Sequence, residues 1–130
     1  MEAKHDITTL DDIKLLVDTF YTRVAADALL APVFTARLGG HWLPHLQKMY
    51  TFWQTVLLDQ YTYNGAPFPP HARLPVDEQH FEAWLNLFSA TIDNLFLGEK
   101  ADEAKWRAGK MAQMFQLKIA HIKNNPRNIL

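Results

Sequence analysis

The residues best suited to chemistry in this sequence are Tyr21, His45, His71 and Trp84, each a polar group set in or beside an apolar pattern. His45 opens a stripe that continues through Met49, Phe52, Trp53 and Val56, all on one face if the segment is helical. Such a histidine is either a helix-end residue reaching water or a polar group at the mouth of an apolar pocket. Tyr21 borders an apolar face beside Phe20, and Trp84 sits within one. A buried hydroxyl normally finds a partner, and a buried indole N–H requires an acceptor. His71 lies in a proline-rich stretch, where a lone histidine is commonly an exposed residue. His41 and His45 are four apart, yet no third ligand for zinc is evident and no histidine–acid spacing matches a zinc-protease motif.

These residues need elements to position them, and the hydrophobic period is near 3.6 wherever there is a period. A first helix spans Leu10 to Ala26, with Ile13, Leu16, Val17, Phe20 and Val24 on its apolar face. Thr8 or Thr9 caps it, and Asp11 and Asp12 suit the positive end of its dipole. A short helical turn is expected around Pro32 to Ala36, broken by Gly39-Gly40. A second long helix begins near Trp42-Leu43-Pro44, since proline is tolerated in a first turn. From Gln60 to Val76 the pattern fails: Asn64-Gly65 signals a turn, and Pro67, Pro69, Pro70 and Pro75 remove backbone donors. A loop of that length in a compact domain is usually functional or disordered, and this one carries His71. A third helix begins near Asp77, with Phe81, Trp84, Leu85, Phe88, Ile92, Leu95 and Phe96 inward, and ends at Gly98. A fourth runs from about Asp102 to Lys123 with Ala104, Ala108, Met111, Phe115, Ile119 and Ile122 inward, and Asn124-Asn125-Pro126 stops it before a frayed end. The expected architecture is all-α, one domain over residues 1–130 with its core at about 9–123.

Bulk composition removes several function classes. The net charge is −1, so the chain lacks the basic excess of a general nucleic-acid binder. There is no cysteine, which excludes disulfides, iron–sulfur clusters and thiolate chemistry. The first ten residues carry charges and no apolar run, unlike a signal peptide, and no apolar stretch is long enough for a membrane span. A cytoplasmic protein is the expectation. Aromatic side chains are abundant, with eight Phe, four Trp and four Tyr. They either fill a small core or line a pocket for a flat apolar ligand.

Taken together, Phe20-Tyr21 within TFYTRV, Pro32-Val33-Phe34, the string HWLPHLQKMYTFWQTVLL, then YNGAPFPPHARLP and FEAWLNLF resemble the truncated haemoglobins of the third group. The likeness runs from about Thr9 to Lys123. It implies a 2-on-2 helical sandwich around haem b. His71 then matches the proximal iron ligand, and Tyr21, His45 and Trp84 the polar distal residues. Phe34 matches the ring packing on the haem face, Met49 and Phe52 the lining beside the distal histidine, and Trp53 the aromatic behind it. Phe88, Met111 and Phe115 are expected in the haem pocket, and Lys48 and Arg73 are the candidates to pair with the haem propionates.

On that reading the ligands are O2, NO and CO. Donors converging on a bound gas slow its release, which suits oxygen or nitric oxide chemistry better than oxygen delivery. Turnover as an NO dioxygenase or peroxidase-like enzyme would need electrons from a separate reductase, because the chain has no flavin or dinucleotide fingerprint. The other readings are a haem-based sensor acting through a partner and a cofactor-free helical binding protein. A monomer or weak homo-oligomer is expected.

Overall fold

The computed structural model describes residues 3–124, and the expected stop and fraying around Asn125-Pro126 lie outside them. Five α-helices follow one another: α1 (Leu10–Ala26), α2 (Ala31–Leu38), α3 (Trp42–Leu58), α4 (Glu78–Leu95) and α5 (Glu99–Asn124). A single 3-10 turn, Pro69–His71, interrupts the connection between α3 and α4. Among the described residues there is no strand, only an isolated bridge between His5 and Phe96. α1 pairs with α3 and α4 with α5, and α1 packs against α4 to join the pairs. This is the 2-on-2 sandwich expected of the sequence.

Two of the helix starts, those of α1 and α4, are capped locally. Thr9 Oγ1 accepts from the Asp12 N–H at 3.2 Å, and the Asp12 carboxylate accepts from the Thr9 N–H at 3.1 Å, so both orphan donors at the head of α1 are satisfied. Asp77 and His80 make the equivalent reciprocal pair at α4. α5 starts at Glu99, earlier than the Asp102 read from the sequence, because its cap comes from far along the chain. The Asp6 carboxylate accepts from the N–H groups of Lys100 and Ala101, both at 2.9 Å. α4 correspondingly ends at Leu95 with Phe96 extended, so Gly98 is not its terminator. Gly98 instead has φ +148° and lies against Asp6, where a Cβ would sit 2.4 Å from the Asp6 Cγ. α2 is longer than the turn expected from Pro32 to Ala36.

The core follows the predicted stripes. Ile13, Leu16, Val17, Phe20 and Val24 of α1 meet Phe52, Trp53 and Leu57 of α3 and Phe88 and Ile92 of α4, all buried. Ala101, Ala104 and Ala108 are buried along α5, and their small side chains let it approach α4 closely. Trp84 stacks on Phe88 with ring centroids 5.4 Å apart, and Trp53 stacks on Phe88 at 5.1 Å.

Candidate functional site

The helices do not close on one another everywhere. Between α1, α2, α3, α4, α5 and the α3–α4 connection lies a cavity of about 460 Å3, within the range of cofactor pockets. His45 and His71 both line it, as do Tyr21 and Trp84. Phe34, Lys48, Met49, Phe52, Trp53, Phe88, Met111 and Phe115 complete the set expected from the sequence. The exception is Arg73. It lines a smaller surface depression with Arg37, Pro69 and Pro70 rather than the cavity itself.

His71 is brought inward by the prolines around it. Pro69 and Pro70 fix the φ angles of the 3-10 turn, and the His71 N–H closes it on the Phe68 carbonyl at 2.7 Å. The ring then packs on Phe115, centroid to centroid 4.8 Å. His71 Nδ1 lies 2.6 Å from the Pro67 carbonyl oxygen. A carbonyl can only accept, so Nδ1 carries the proton and Nε2 keeps its lone pair. Burial holds the His71 pKa below the ordinary histidine value; the Pro67 hydrogen bond opposes this and the nearby Arg37 charge adds to it. The result is a neutral, oriented imidazole, the form a metal ion requires.

His45 contributes a second imidazole from α3. Its Nε2 is buried and has no hydrogen-bond partner among the described residues. Burial pushes its pKa down to about 4, and the positive charges of Lys48 and Arg37, with that of His71 whenever its ring is protonated, act in the same direction. A buried unpaired polar nitrogen is costly and calls for a ligand. Tyr21 meets the His45 ring edge to face at 5.0 Å and the Phe34 ring at 5.9 Å, and its burial raises the phenol pKa, so the hydroxyl keeps its proton. Trp84 meets Phe20 edge to face at 5.7 Å.

The bacterial-like globin family matches residues 6–119 of this chain. A protein of Campylobacter jejuni named group 3 truncated hemoglobin ctb is 32% identical over 117 residues, covering 87% of this chain and 92% of its own. The chain is a group III truncated haemoglobin. The crystal structure of a group III truncated hemoglobin from Campylobacter jejuni superposes on this globin with a TM-score of 0.81 at 31% identity, covering 90% of this chain and 95% of that one.

Globins are haem proteins, and the residues of this globin fit the group. One neutral imidazole has an oriented free lone pair, a second has an unpaired buried nitrogen, and the walls between them are largely apolar and rich in aromatic rings. Cations stand at the cavity in Arg37 and Lys48, both exposed. The sequence does not single out Arg37 or His80, and it marks His41 only as half of an incomplete zinc pair and Phe81 and Ile119 only as inward-facing; all five line the cavity. A signal for Arg37 existed: it lies three residues past Phe34, one turn along the same face of α2.

Proposed function

We propose that this globin binds haem b and, through it, the diatomic gases O2, NO and CO. It serves oxygen and nitric oxide chemistry such as NO detoxification rather than oxygen delivery. The observation that carries this reading is the buried, unpartnered Nε2 of His45, in a cavity that also receives the oriented imidazole of His71. When bound, haem supplies an iron centre that coordinates a gas reversibly.

The chain's own residues have separate tasks. His71 presents Nε2 as the proximal ligand, and Pro67 fixes its ring orientation and tautomer. Tyr21, His45 and Trp84 supply the distal polar set. The Tyr21 hydroxyl and the Trp84 indole N–H donate, and each such bond is worth about 1 kcal/mol net. His45 stays neutral and offers either a donor or an acceptor. The largely apolar walls lower the local dielectric, which strengthens the hydrogen bonds made against them. Arg37 and Lys48 are the partners for the propionates, with Arg73 flanking Arg37 in the adjoining depression. NO detoxification combines NO, both atoms of O2 and one electron to give nitrate, and a separate reductase supplies that electron. The chain acts as one domain in the cytoplasm.

The test is spectroscopic. The purified protein, or the protein titrated with haem, acquires an intense porphyrin absorption band, and His71→Ala loses the haem or its axial ligation. A protein that stays colourless after titration, or a His71→Ala variant with an unchanged ferrous spectrum, overturns the reading.

A further inference from the structure

The charge of the molecule is unevenly distributed. The net charge is only −1, yet the last acidic residue is Glu103, while Lys105, Arg107, Lys110, Lys118, Lys123 and Arg127 follow it. On α5 some of these cations are already neutralised: Lys105 pairs with Asp93 and Asp102, and Arg107 with Glu103. Lys110 and Lys118 have no carboxylate partner among the described residues. Each lies over an aromatic ring instead, Lys110 over Trp106 at 5.8 Å and Lys118 over Phe68 at 4.9 Å. Around them the helix exposes large apolar side chains, Trp106 at 60%, Met114 at 43% and Leu117 at 66%. Residues 106, 110, 114, 117 and 118 are within helical reach of one another on the side of α5 that faces away from the core. A basic apolar face of this kind is a recognition surface, and its charge selects a carboxylate-rich partner.

The same face leads inward. The Phe68 ring beneath Lys118 packs on Phe115 at 5.4 Å, and Phe115 packs on His71 at 4.8 Å. Packed rings therefore connect the surface at Lys118 to the imidazole assigned to the iron. Electron tunnelling falls steeply with distance and with gaps, so a donor seated here has a short and continuous route.

The geometry points to an electron-entry face: the outer edge of α5 around Lys110, Leu117 and Lys118 docks an electron-donor protein with an acidic surface, and Phe68 and Phe115 bridge it to His71. This rests on the haem-binding reading above. A protein-bound flavin hydroquinone on the donor gives up one electron to become the semiquinone, and the ferric iron becomes ferrous; no bond between the proteins is made or broken. One helix edge suits a transient redox encounter, whose interface is small.

The test uses the haem-loaded ferric protein and an acidic flavodoxin in its hydroquinone form as probe. Binding is measured by calorimetry and reduction by stopped flow, at low and high salt. Lys110→Glu combined with Lys118→Glu should weaken binding and slow reduction at least tenfold at low salt. Added salt should narrow the gap, since it screens exposed charge. Reduction by dithionite should be unchanged. Lys14→Glu on α1 combined with Lys4→Glu matches the charge change away from the face and should leave both readouts near wild type. Equal rates in wild type and the α5 variant, or equal slowing in both double variants, overturns the docking face. So does a dimer that Leu117→Lys dissociates while the donor's rate stays fixed, because the stripe then pairs copies of the chain. Failure of haem to bind is seen first, in the absorption spectrum, and removes the underlying reading instead.

Discussion

The Tyr21 hydroxyl is a group whose removal disturbs little else. Tyr21→Phe keeps the ring contacts with Phe20, Phe34 and His45 and deletes only a donor. If that donor holds a gas in the pocket, oxygen release should quicken about five- to tenfold, the rate equivalent of one net hydrogen bond. Trp84→Phe should act in the same direction, and laser photolysis or stopped-flow mixing reads both. Unmoved rates in both variants would remove the distal assignment of these residues. His45 makes a different prediction, in pH. Its folded pKa of about 4 lies below the ordinary 6.5. Between those values the unfolded chain takes up a proton that the folded chain excludes. The neutral ring's contribution to stability is therefore full above pH 6.5 and is lost as the solution is acidified through the window. Water reaches part of the ring, so the loss is on the order of 2 kcal/mol rather than the whole shift. His45→Gln should unfold at a lower pH than the wild type, read as the acid midpoint of helix loss by circular dichroism.

At the scale of elements, the head of α5 depends on a residue nearly the whole chain away. Burial opposes ionisation of Asp6, but the N–H groups of Lys100, Ala101 and Ile7 and the Lys100 charge outweigh it and hold its pKa below the ordinary value. Gly98 makes the approach possible, since any Cβ there would meet the Asp6 side chain and the φ of +148° strains other residues. Gly98→Ala should therefore cost about 2–4 kcal/mol through strain and a lost cap, and Asp6→Ala about 1 kcal/mol through the cap alone. Thermal unfolding of the two variants should show that order. The same contact explains what was legible in the sequence. α1 was bounded at Leu10 and Ala26 and α4 was capped at Asp77 because their signals are local: a cap residue, a partner three positions on, and a stripe of period 3.6. α5 begins three residues before its local signals because its cap is supplied by tertiary folding. Gly98 resembles a terminator in the sequence because a glycine near a helix end is ordinarily one, yet its role is to admit Asp6. The residues that line the cavity are legible through the family likeness, which points to a position that a lone histidine in a loop cannot announce. Arg73 stands out in the sequence as a propionate partner because it lies two residues from His71, whereas nothing adjacent to either histidine draws attention to Arg37. Spacing along an irregular loop does not give direction, whereas one turn of α2 carries Arg37 to the cavity wall.

For the molecule as a whole, the cavity marks the region least supported by the chain's own packing. Between Asp59 and Asp77 only Val76 is buried. The backbone bonds in that connection are mainly local turns: the His71 N–H to the Phe68 carbonyl, Leu74 to His71, and Val76 to Leu74. Its anchors to the rest include Gln54 and Thr55 on α3, the Thr55 hydroxyl accepting from the N–H groups of Thr62 and Tyr63 at 3.1 and 3.0 Å, and on α5 the Phe115 ring beside Phe68 and His71 and Lys123 reaching the Val76 carbonyl at 2.7 Å. Tyr63, Pro67, His71, Leu74 and Val76 all turn toward the cavity, so what fills it is what this segment packs on. A ligand bound only to the folded state stabilises it by about 4 kcal/mol at a thousand times its Kd. That gain should not be shared evenly. α1 and α4 also share a core beyond the cavity, in which Ile13, Leu16 and Ile92 are fully buried and do not line it. Hydrogen exchange followed by mass spectrometry, with and without haem, should therefore show strong deprotection of residues 60–76 when haem is withdrawn and little change within α1 and α4. A uniform loss of protection along the chain would mean instead that haem holds the whole bundle together, and that the segment carrying His71 is no weaker than the helices around it.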